Sequence, residues 1–168
     1  MKGSGKIDDF GEAFAALGEL SARSLFVMKV GVDHIHAIGG PAGIDRRVGE
    51  MVAGRFAGER LSGDVLTGGA DWQIVRADGA ILLDARVVLR TYDGAEIAME
   101  YTGIRTGPAD IIARLGRGEP VDPADYYFRI APRFSTSDPR YEWLNRIMTV
   151  GIGHRLPEGP VYSVFEIV

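Results

Sequence analysis

Apolar and polar positions alternate along most of the chain beyond residue 19, and this period of two is typical of β-strands. The alternating runs predict about nine strands separated by turn signals, at 20–30 (continuing past Gly31 toward Ile38), 47–56, 60–66, 70–76, 80–91, 95–104, 126–133, 144–151 and 161–168. Short strands at such regular spacing are typical of a sandwich or a barrel. Because closure removes the exposed edges of an antiparallel sheet, we predict an all-β, closed antiparallel barrel of about 8–10 strands.

Two segments have helical spacing instead, so we predict one or two short helices. The first ends at Gly18, which predicts a partly helical leader over residues 1–18 and a single barrel domain over residues 19–168. The second begins at Pro108 and ends at Gly116. The apolar positions are Phe10, Ala13, Phe14 and Leu17 in the first helix, and Ile111, Ile112 and Leu115 in the second. The leader helix is expected either to cover a hydrophobic edge or to form a lid over a ligand cavity.

Composition narrows the range of functions. The chain has 46% hydrophobic and 25% charged residues and a formal net charge of −4, which argues against a basic surface for nucleic acid or an anionic membrane. The absence of cysteine excludes thiolate catalysis, cysteine-bound metals and disulfides. No run approaches the ~20 apolar residues of a membrane span, and no secretory signal is recognisable. We therefore expect a cytoplasmic protein without nucleic-acid or membrane partners.

Two turn signals, Asp78-Gly79 and Asp93-Gly94, determine the expected register of three neighbouring strands. If both are two-residue hairpin loops, counting outward from each places Asp71 opposite Arg86 and Arg86 opposite Tyr101. The three side chains then form a row on one face of the sheet, with neighbours about 4.5–5.5 Å apart. That distance suits a carboxylate–guanidinium pair with a phenol beside it.

Both faces of these strands are substantially apolar. We therefore expect one face to line the barrel interior and the other to be covered by a helix, loops or another subunit. A polar row in an apolar wall is a common way to build a small-molecule site. Two interpretations of the Asp71–Arg86 pair stay open: an ion pair with only a structural role, and a group that contacts a ligand or takes part in catalysis.

Other side chains are candidates with competing interpretations. Tyr127 and Arg129 share one side of a strand, where they either contact a planar anionic ligand or extend into solvent. Trp143 either fills the core or stacks on a ligand. His34 and His36 share a strand face at a spacing compatible with a metal, but no suitable third ligand is nearby, and we expect no metal site.

Four separated motifs together are typical of one protein family. They are Gly68-Gly69-Ala70-Asp71-Trp72, Ala85-Arg86 before the Asp93-Gly94 turn, Tyr127-Phe128-Arg129 before Pro132, and Trp143-Leu144-Asn145. With these motifs, the chain from Leu25 to Val168 resembles the domain-of-unknown-function 3237 family of small bacterial and fungal proteins. The resemblance implies a calycin-like, lipocalin-like β-barrel, often dimeric, without a settled activity. The motif positions that carry over are Asp71, Trp72, Arg86, Tyr127, Arg129 and Trp143.

These residues lead to the hypothesis of a cofactor-independent enzyme of the isomerase, cyclase or lyase type. Its substrate is expected to be a small carbonyl, enol or aromatic metabolite. Asp71 is the predicted general acid/base, with a pKa set by burial beside Arg86. Arg86 and Arg129 are predicted to stabilise a carboxylate or a developing enolate, and Tyr101 or Tyr127 to donate a hydrogen bond or proton.

The predicted catalytic set is therefore Asp71, Arg86 and Tyr101, and the predicted ligand-binding set is Trp72, Tyr127, Arg129 and Trp143. The two tryptophans are expected to form walls of the pocket. Two alternatives stay open, a non-catalytic carrier of the same kind of ligand and an oligomeric scaffold without a ligand. The expected partners are a small molecule and a second copy of the chain in a homodimer.

Overall fold

The computed structural model describes Gly11 and residues 15–168. The positions Phe10, Ala13 and Phe14 of the predicted leader helix lie outside the described residues. Within the described ranges, no helix is both long enough and apolar enough to cross a membrane.

Nine antiparallel strands form one sheet, and between them the described residues contain an α-helix and two short 3-10 helices. The bounds are β1 Ala22–Ala37, β2 Asp45–Ala57, β3 Ser62–Val65, β4 Gly69–Val75, β5 Ile81–Thr91, β6 Glu96–Thr106, α1 Ala109–Gly116, a 3-10 helix at Pro123–Asp125, β7 Tyr127–Ser135, a 3-10 helix at Glu142–Arg146, β8 Thr149–Leu156 and β9 Gly159–Ile167. The predicted strand at 144–151 is wrong at its start, because a 3-10 helix occupies residues up to Arg146 and β8 begins at Thr149.

The sheet closes on itself, because β1 pairs with β9 on one side and with β2 on the other. Both β3 and β4 lie between β2 and β5, each along a different half of these strands. They act as one strand interrupted at residues 66–68, so the barrel has eight strand positions. The predicted closed antiparallel barrel is confirmed.

The turns on either side of β5 are each one residue longer than the sequence predicts. The backbone N–H of Arg76 donates to the carbonyl of Ala80 at 2.9 Å, which leaves three residues in the loop, and Gly79 at its end has a φ of 84°. The second turn has the same form, since the N–H of Thr91 donates to the carbonyl of Ala95 at 2.9 Å. Three-residue hairpin loops commonly end on a glycine with positive φ, so both Asp-Gly signals mark real hairpins of a different length.

Glycine permits close contact between strands near one rim of the barrel. A Cβ atom on Gly54 would lie 2.2 Å from the carbonyl oxygen of Lys29, and one on Gly63 would lie 2.0 Å from that of Arg90. These separations are far below van der Waals contact, so only glycine fits. The sheet can therefore bend sharply enough at these points to close.

The two ends of the barrel differ in what fills them. At the packed end, which we define by Phe26, Phe56 and Phe134, the rings of Phe56 and Phe134 lie with their centroids 5.4 Å and 5.9 Å from that of Phe26. At the polar end, helix α1 buries Leu115 against the core. The helix begins at Ala109, one residue after the predicted start at Pro108, and its apolar side faces the core. We call this end of the barrel the polar end because aspartate and arginine side chains line a cavity there.

Candidate functional site

The longer turns change the predicted row of three side chains. Asp71 pairs across the ladder with Ala85, and Ala85 pairs with Tyr101. Each loop has one extra residue, and a shift of one residue moves a side chain to the opposite face of the sheet. The first shift turns Arg86 outward, and the second restores the alignment, so Asp71 and Tyr101 still share the inner face. The expected Asp71–Arg86–Tyr101 row is therefore wrong in its middle member.

Arg86 lies on the outside of the barrel, where 71% of its side chain is exposed. Its guanidinium nitrogens are 4.0 Å from Asp84 Oδ1 and 3.7 Å from Glu100 Oε2. Exposed ion pairs at such distances contribute little to stability. Arg86 also borders an open groove of about 550 Å³ beside the β3–β4 interruption, whose charged groups Glu100 and Arg133 are exposed as well.

The four predicted ligand-binding residues lie away from the barrel interior. Trp72 is on the outer face and 53% exposed. Tyr127 and Arg129 are on the outer face of β7, with the Arg129 guanidinium 4.7 Å from the centre of the Tyr127 ring. Trp143 is half-buried at the packed end, where the guanidinium of Arg60 lies 4.1 Å from its ring centre. The prediction that Trp72 and Trp143 form walls of an internal pocket is therefore wrong, because strand alternation turns Trp72 outward and the 3-10 helix holds Trp143 at the packed end. Strand alternation also turns Tyr127 and Arg129 outward.

The two histidines of β1 are exposed on the outside of the barrel. Their rings lie 4.4 Å apart, and His36 Nε2 is 2.6 Å from Glu50 Oε1. Across residues 15–168, no group of three or more His, Asp or Glu side chains is arranged to hold a metal ion.

A partly enclosed cavity of about 100 Å³ lies inside the polar end, between the barrel wall and α1. We call it the polar cavity. Its apolar walls include Leu83, Phe128 and Leu115 of α1. Its polar lining consists of Arg47, Asp71, Gln73, Arg105, Arg155 and Tyr162. Of the predicted site residues, the structure brings Asp71 to this cavity, with Tyr101 directly behind Tyr162.

Asp71 is the buried carboxyl group of the polar cavity, with 6% of the residue exposed. Its Oδ2 accepts a hydrogen bond from Gln73 Nε2 at 2.7 Å, and its Oδ1 accepts one from the backbone N–H of Asp84 at 3.2 Å. Burial raises the pKa of this carboxyl, while the two hydrogen bonds and the charge of Arg105 act in the opposite direction. Because burial outweighs them, Asp71 binds a proton more readily than an exposed aspartate.

Arg105 is the buried cation of the polar cavity, with 8% of the residue exposed. Its guanidinium carbon lies 5.5 Å from the centre of the Phe128 ring, and its Nε has no hydrogen-bond partner among the described residues. Burial lowers the pKa of Arg105, and the nearby charge of Arg155 lowers it further. An arginine remains charged even so, so its burial costs stability.

Arg105 is absent from the site residues predicted from the sequence, because the predicted strand ends at residue 104. One signal was available. Counting in twos from the buried Ile97 through Met99 and Tyr101 leads to Arg105, a charged residue on an otherwise apolar strand face. Charged residues are almost never fully buried without a partner, so this position stands out once the face is assigned.

Two phenols lie beneath the charged groups. The hydroxyl oxygens of Tyr101 and Tyr162 are 3.4 Å apart, and Tyr101 Oη is 3.9 Å from Met51 Sδ. Burial raises the pKa of both phenols, so both keep their protons at neutral pH. Tyr162 lines the cavity and Tyr101 lies behind it, so Tyr162 is the phenol that can donate a hydrogen bond into the cavity.

Arg155 completes the polar lining from β8. Its backbone N–H donates to the hydroxyl of Tyr126 at 2.8 Å, and that hydroxyl lies 2.9 Å from His154 Nδ1. Because the phenol oxygen already accepts from Arg155, its own proton is free to be donated to His154. Burial lowers the pKa of the Arg155 guanidinium, which donates one hydrogen bond to the carbonyl of Leu156. These contacts hold Arg155 at the cavity wall.

Comparison with known proteins gives a family and a fold. The sequence profile described as "Protein of unknown function (DUF3237)" matches residues 21–167. A UPF0311 protein of Rhodopseudomonas palustris is 42% identical over 123 residues, 73% of this chain and 80% of that protein. The crystal structure of a β-barrel-like protein from Acinetobacter baumannii matches with a TM-score of 0.79 at 35% identity, covering 90% of this chain and 98% of that one. An enzyme from Penicillium herquei has a TM-score of 0.69 at 22% identity, covering 90% and 96%, and this likeness shows the fold alone.

Proposed function

This chain belongs to the DUF3237 family, and we propose that it binds a small organic molecule in the polar cavity and transfers a proton with Asp71. The reaction is of the isomerase, cyclase or lyase type, without a cofactor, on a carbonyl, enol or aromatic metabolite. The observation that supports it best is the buried guanidinium of Arg105, whose Nε has no acceptor in the part of the chain that the structure describes, in the same cavity as the buried carboxyl of Asp71. Ionisable groups with shifted pKa values that meet in a cavity are characteristic of functional sites.

Asp71 is suited to proton transfer. Each of its oxygens accepts one hydrogen bond and so keeps a second lone pair for a reacting proton. In the proposed step, the carboxylate takes a proton from a carbon next to a carbonyl, and the C–H electron pair moves to give an enolate. Return of the proton to a different atom completes an isomerisation, with no electron acceptor required. The raised pKa brings Asp71 closer to neutral pH, where acid–base catalysis is more efficient.

Arg105 and Tyr162 line the cavity and are placed to stabilise the negative oxygen of that enolate, with Tyr101 behind Tyr162. Only one hydrogen lies between the hydroxyls of Tyr101 and Tyr162, so the other hydroxyl hydrogen is free for a ligand or for the weak contact with Met51. Fixed donors in a dry cavity act strongly on a new negative charge. In this revised assignment Arg105 takes the role predicted for Arg86 and Arg129.

The proposal retains a homodimer and a cytoplasmic location, both predicted from the sequence. Exposed apolar side chains on the outer face of β8, Val150 and Ile152, support an intersubunit contact. A carrier that binds the same ligands without chemistry is the alternative function, because the cavity and Arg105 serve binding equally well.

The proposed proton transfer is testable without knowing the substrate. Small ketones, oxo acids and phenols are incubated with the protein in D₂O, and exchange of their carbon-bound hydrogens is followed by ¹H NMR. We expect the wild type to accelerate exchange for at least one compound and Asp71→Asn to lose at least 100-fold of that rate, since general acid–base groups contribute about 10²–10⁴-fold.

The matched control is Asp84→Asn, an exposed aspartate whose backbone N–H bonds to Asp71 in the wild type and remains in the variant. With Asp84→Asn, the carbon-bound hydrogens of the test compounds should exchange at the wild-type rate. Exchange that survives in Asp71→Asn contradicts the proposed role of this carboxyl. Binding of these compounds at the cavity without any exchange in the wild type favours the carrier.

A further inference from the structure

The polar cavity contains more positive than negative charge. Its charged lining consists of Arg47, Arg105, Arg155 and a single carboxyl, Asp71. Arg47 already has a partner, because its guanidinium donates to Asp45 Oδ2 at 2.8 Å. Two arginines therefore face one carboxyl. Even with that carboxyl ionised, the two guanidiniums leave about one unit of positive charge in the cavity.

The two remaining arginines also have unused hydrogen-bond donors. A guanidinium has five N–H groups. Arg105 is in none of the ion pairs formed within 4.0 Å among the described residues, and its Nε has no acceptor there. Arg155 donates from its side chain to the carbonyl of Leu156. Buried donors without acceptors are costly, and so are like charges held close together in a protein interior. An anion bound between them removes both costs.

The size and shape of the cavity restrict that anion. A volume of about 100 Å³ corresponds to about three water molecules at their liquid volume of ≈ 30 Å³ each. The Phe128 ring, whose centre lies 5.5 Å from the Arg105 guanidinium carbon, and Leu115 bound this small space. Guanidinium groups bind planar carboxylates through two parallel hydrogen bonds. A carboxylate therefore fits better than a bulkier tetrahedral anion.

We infer that the ligand of the polar cavity is a small carboxylic acid whose carboxylate is bound by Arg105 and Arg155. This inference rests on the proposed function and adds the class of substrate. The carbon chain of the acid then lies toward Asp71, so that the carbon next to the carboxylate, or next to a neighbouring carbonyl, is the one that exchanges its proton. Tyr162 lies at the base of the cavity beneath that carbon chain.

The test is a titration of the full chain with acetate at constant ionic strength, followed by ¹H–¹⁵N NMR of the arginine Nε–Hε signals. Acetamide, which has the same size and shape but no charge, is the matched control ligand, and inorganic phosphate is the tetrahedral anion. We expect acetate to shift two arginine signals, acetamide to shift none, and phosphate to bind at least tenfold more weakly than acetate. Equal binding of acetate and acetamide, or tighter binding of phosphate, overturns the inference.

Variants identify the residues and separate this inference from the proposed function. Arg105→Met should weaken acetate binding at least tenfold and remove one shifted signal, whereas Arg133→Met, on the outer face of β7, should bind acetate like the wild type. Asp71→Asn should bind acetate as well as or better than the wild type, because it removes a negative charge. If acetate binds as expected while Asp71→Asn still exchanges protons, only the proposed catalysis fails. If exchange depends on Asp71 while acetate does not bind, only the ligand class fails.

Discussion

The two ends of the barrel both contain an inward-facing carboxylate and arginine, but in different settings. At the packed end, Glu166 bonds to Arg23 at 2.8 Å and also to Arg60, whose guanidinium covers Trp143. At the polar end, Asp71 is bonded to neutral donors, and the nearby arginines exceed it in number. A single acidic residue with two partners is consistent with a structural role. A cavity with unpaired positive charge is consistent with a ligand.

The pKa values of the two carboxyls shift in opposite directions. The hydrogen bond from Arg23, together with Arg60, lowers the pKa of Glu166 despite its burial, whereas burial raises that of Asp71. Folding therefore favours the charged form of Glu166 and the neutral form of Asp71. The charged groups of the packed end therefore raise the free energy of unfolding, whereas the buried charges of the polar end lower it.

The largest expected effect is a contrast in stability between the two ends. Glu166→Ala leaves two arginines without their acceptor and should lower the free energy of unfolding by about 1–3 kcal/mol. This loss is smaller than that expected on breaking a fully buried ion pair, because Arg23 is largely exposed. Arg105→Met removes an unpaired buried charge and should leave stability unchanged or raise it. Urea unfolding measures both variants. A loss of stability in Arg105→Met as large as that in Glu166→Ala would show that Arg105 is structural.

The next effect is a pH dependence of opposite sign at the two ends. Glu166 has a lowered folded-state pKa, so its stabilisation is present above its unfolded pKa and is lost as the pH falls through the folded value. Asp71 has a raised folded-state pKa, so its contribution is complete below its unfolded pKa and is lost as the pH rises through the folded value.

Unfolding measured between pH 3 and pH 8, a window of about five units around ordinary carboxyl pKa values, compares Asp71→Asn and Glu166→Gln with the wild type. Asp71→Asn should be more stable than the wild type at neutral pH, and this advantage should shrink toward acid. Glu166→Gln should be less stable at neutral pH, and this deficit should shrink toward acid. The same sign for both variants at neutral pH contradicts the contrast between the two ends.

A smaller effect is expected from the aromatic contact at the packed end. Trp143→Phe keeps an apolar ring but weakens the contact with Arg60, so stability should fall by about 0.5–1 kcal/mol. Acetate binding in the polar cavity should be unchanged, because Trp143 lies at the other end. An effect of this variant on acetate affinity restores Trp143 as a ligand-binding residue, as the sequence alone predicts.

The smallest effect is expected at Arg86, which the sequence places in the site and the structure places outside. Arg86→Gln should change stability by less than about 0.5 kcal/mol, because exposed ion pairs of this kind contribute little. Proton exchange and acetate binding should equal those of the wild type. A large loss of either one contradicts the register described above.

Much of the fold follows from the sequence, because strand alternation and Asp-Gly turns are local signals. The length of a hairpin loop, in contrast, is not determined by such a local signal. An Asp-Gly pair fits both a two-residue and a three-residue hairpin, and the choice between them decides which face each side chain of β5 occupies. The two one-residue errors cancel across β5, which is why Asp71 and Tyr101 are correctly predicted to share a row while Arg86 is not in it.

The remainder of the site depends on contacts between residues far apart in the chain. Arg155 and Tyr162 come from strands that no turn signal links to β4, and their approach to Asp71 results from closure of the barrel. Trp143 illustrates the opposite limit. It lies in one of the motifs on which the family resemblance rests, yet it belongs to the packed end, so a motif position is not by itself a ligand contact.

Leu115 belongs both to the hydrophobic core and to the wall of the polar cavity. Any ligand larger than the polar cavity must push this side chain, and α1 with it, away from the barrel. Small ligands then bind without displacing the helix, whereas each larger ligand exposes apolar surface of the helix and the core when it enters. The helix thereby sets a size threshold, and affinity along a series of acids of increasing length should fall where Leu115 begins to move.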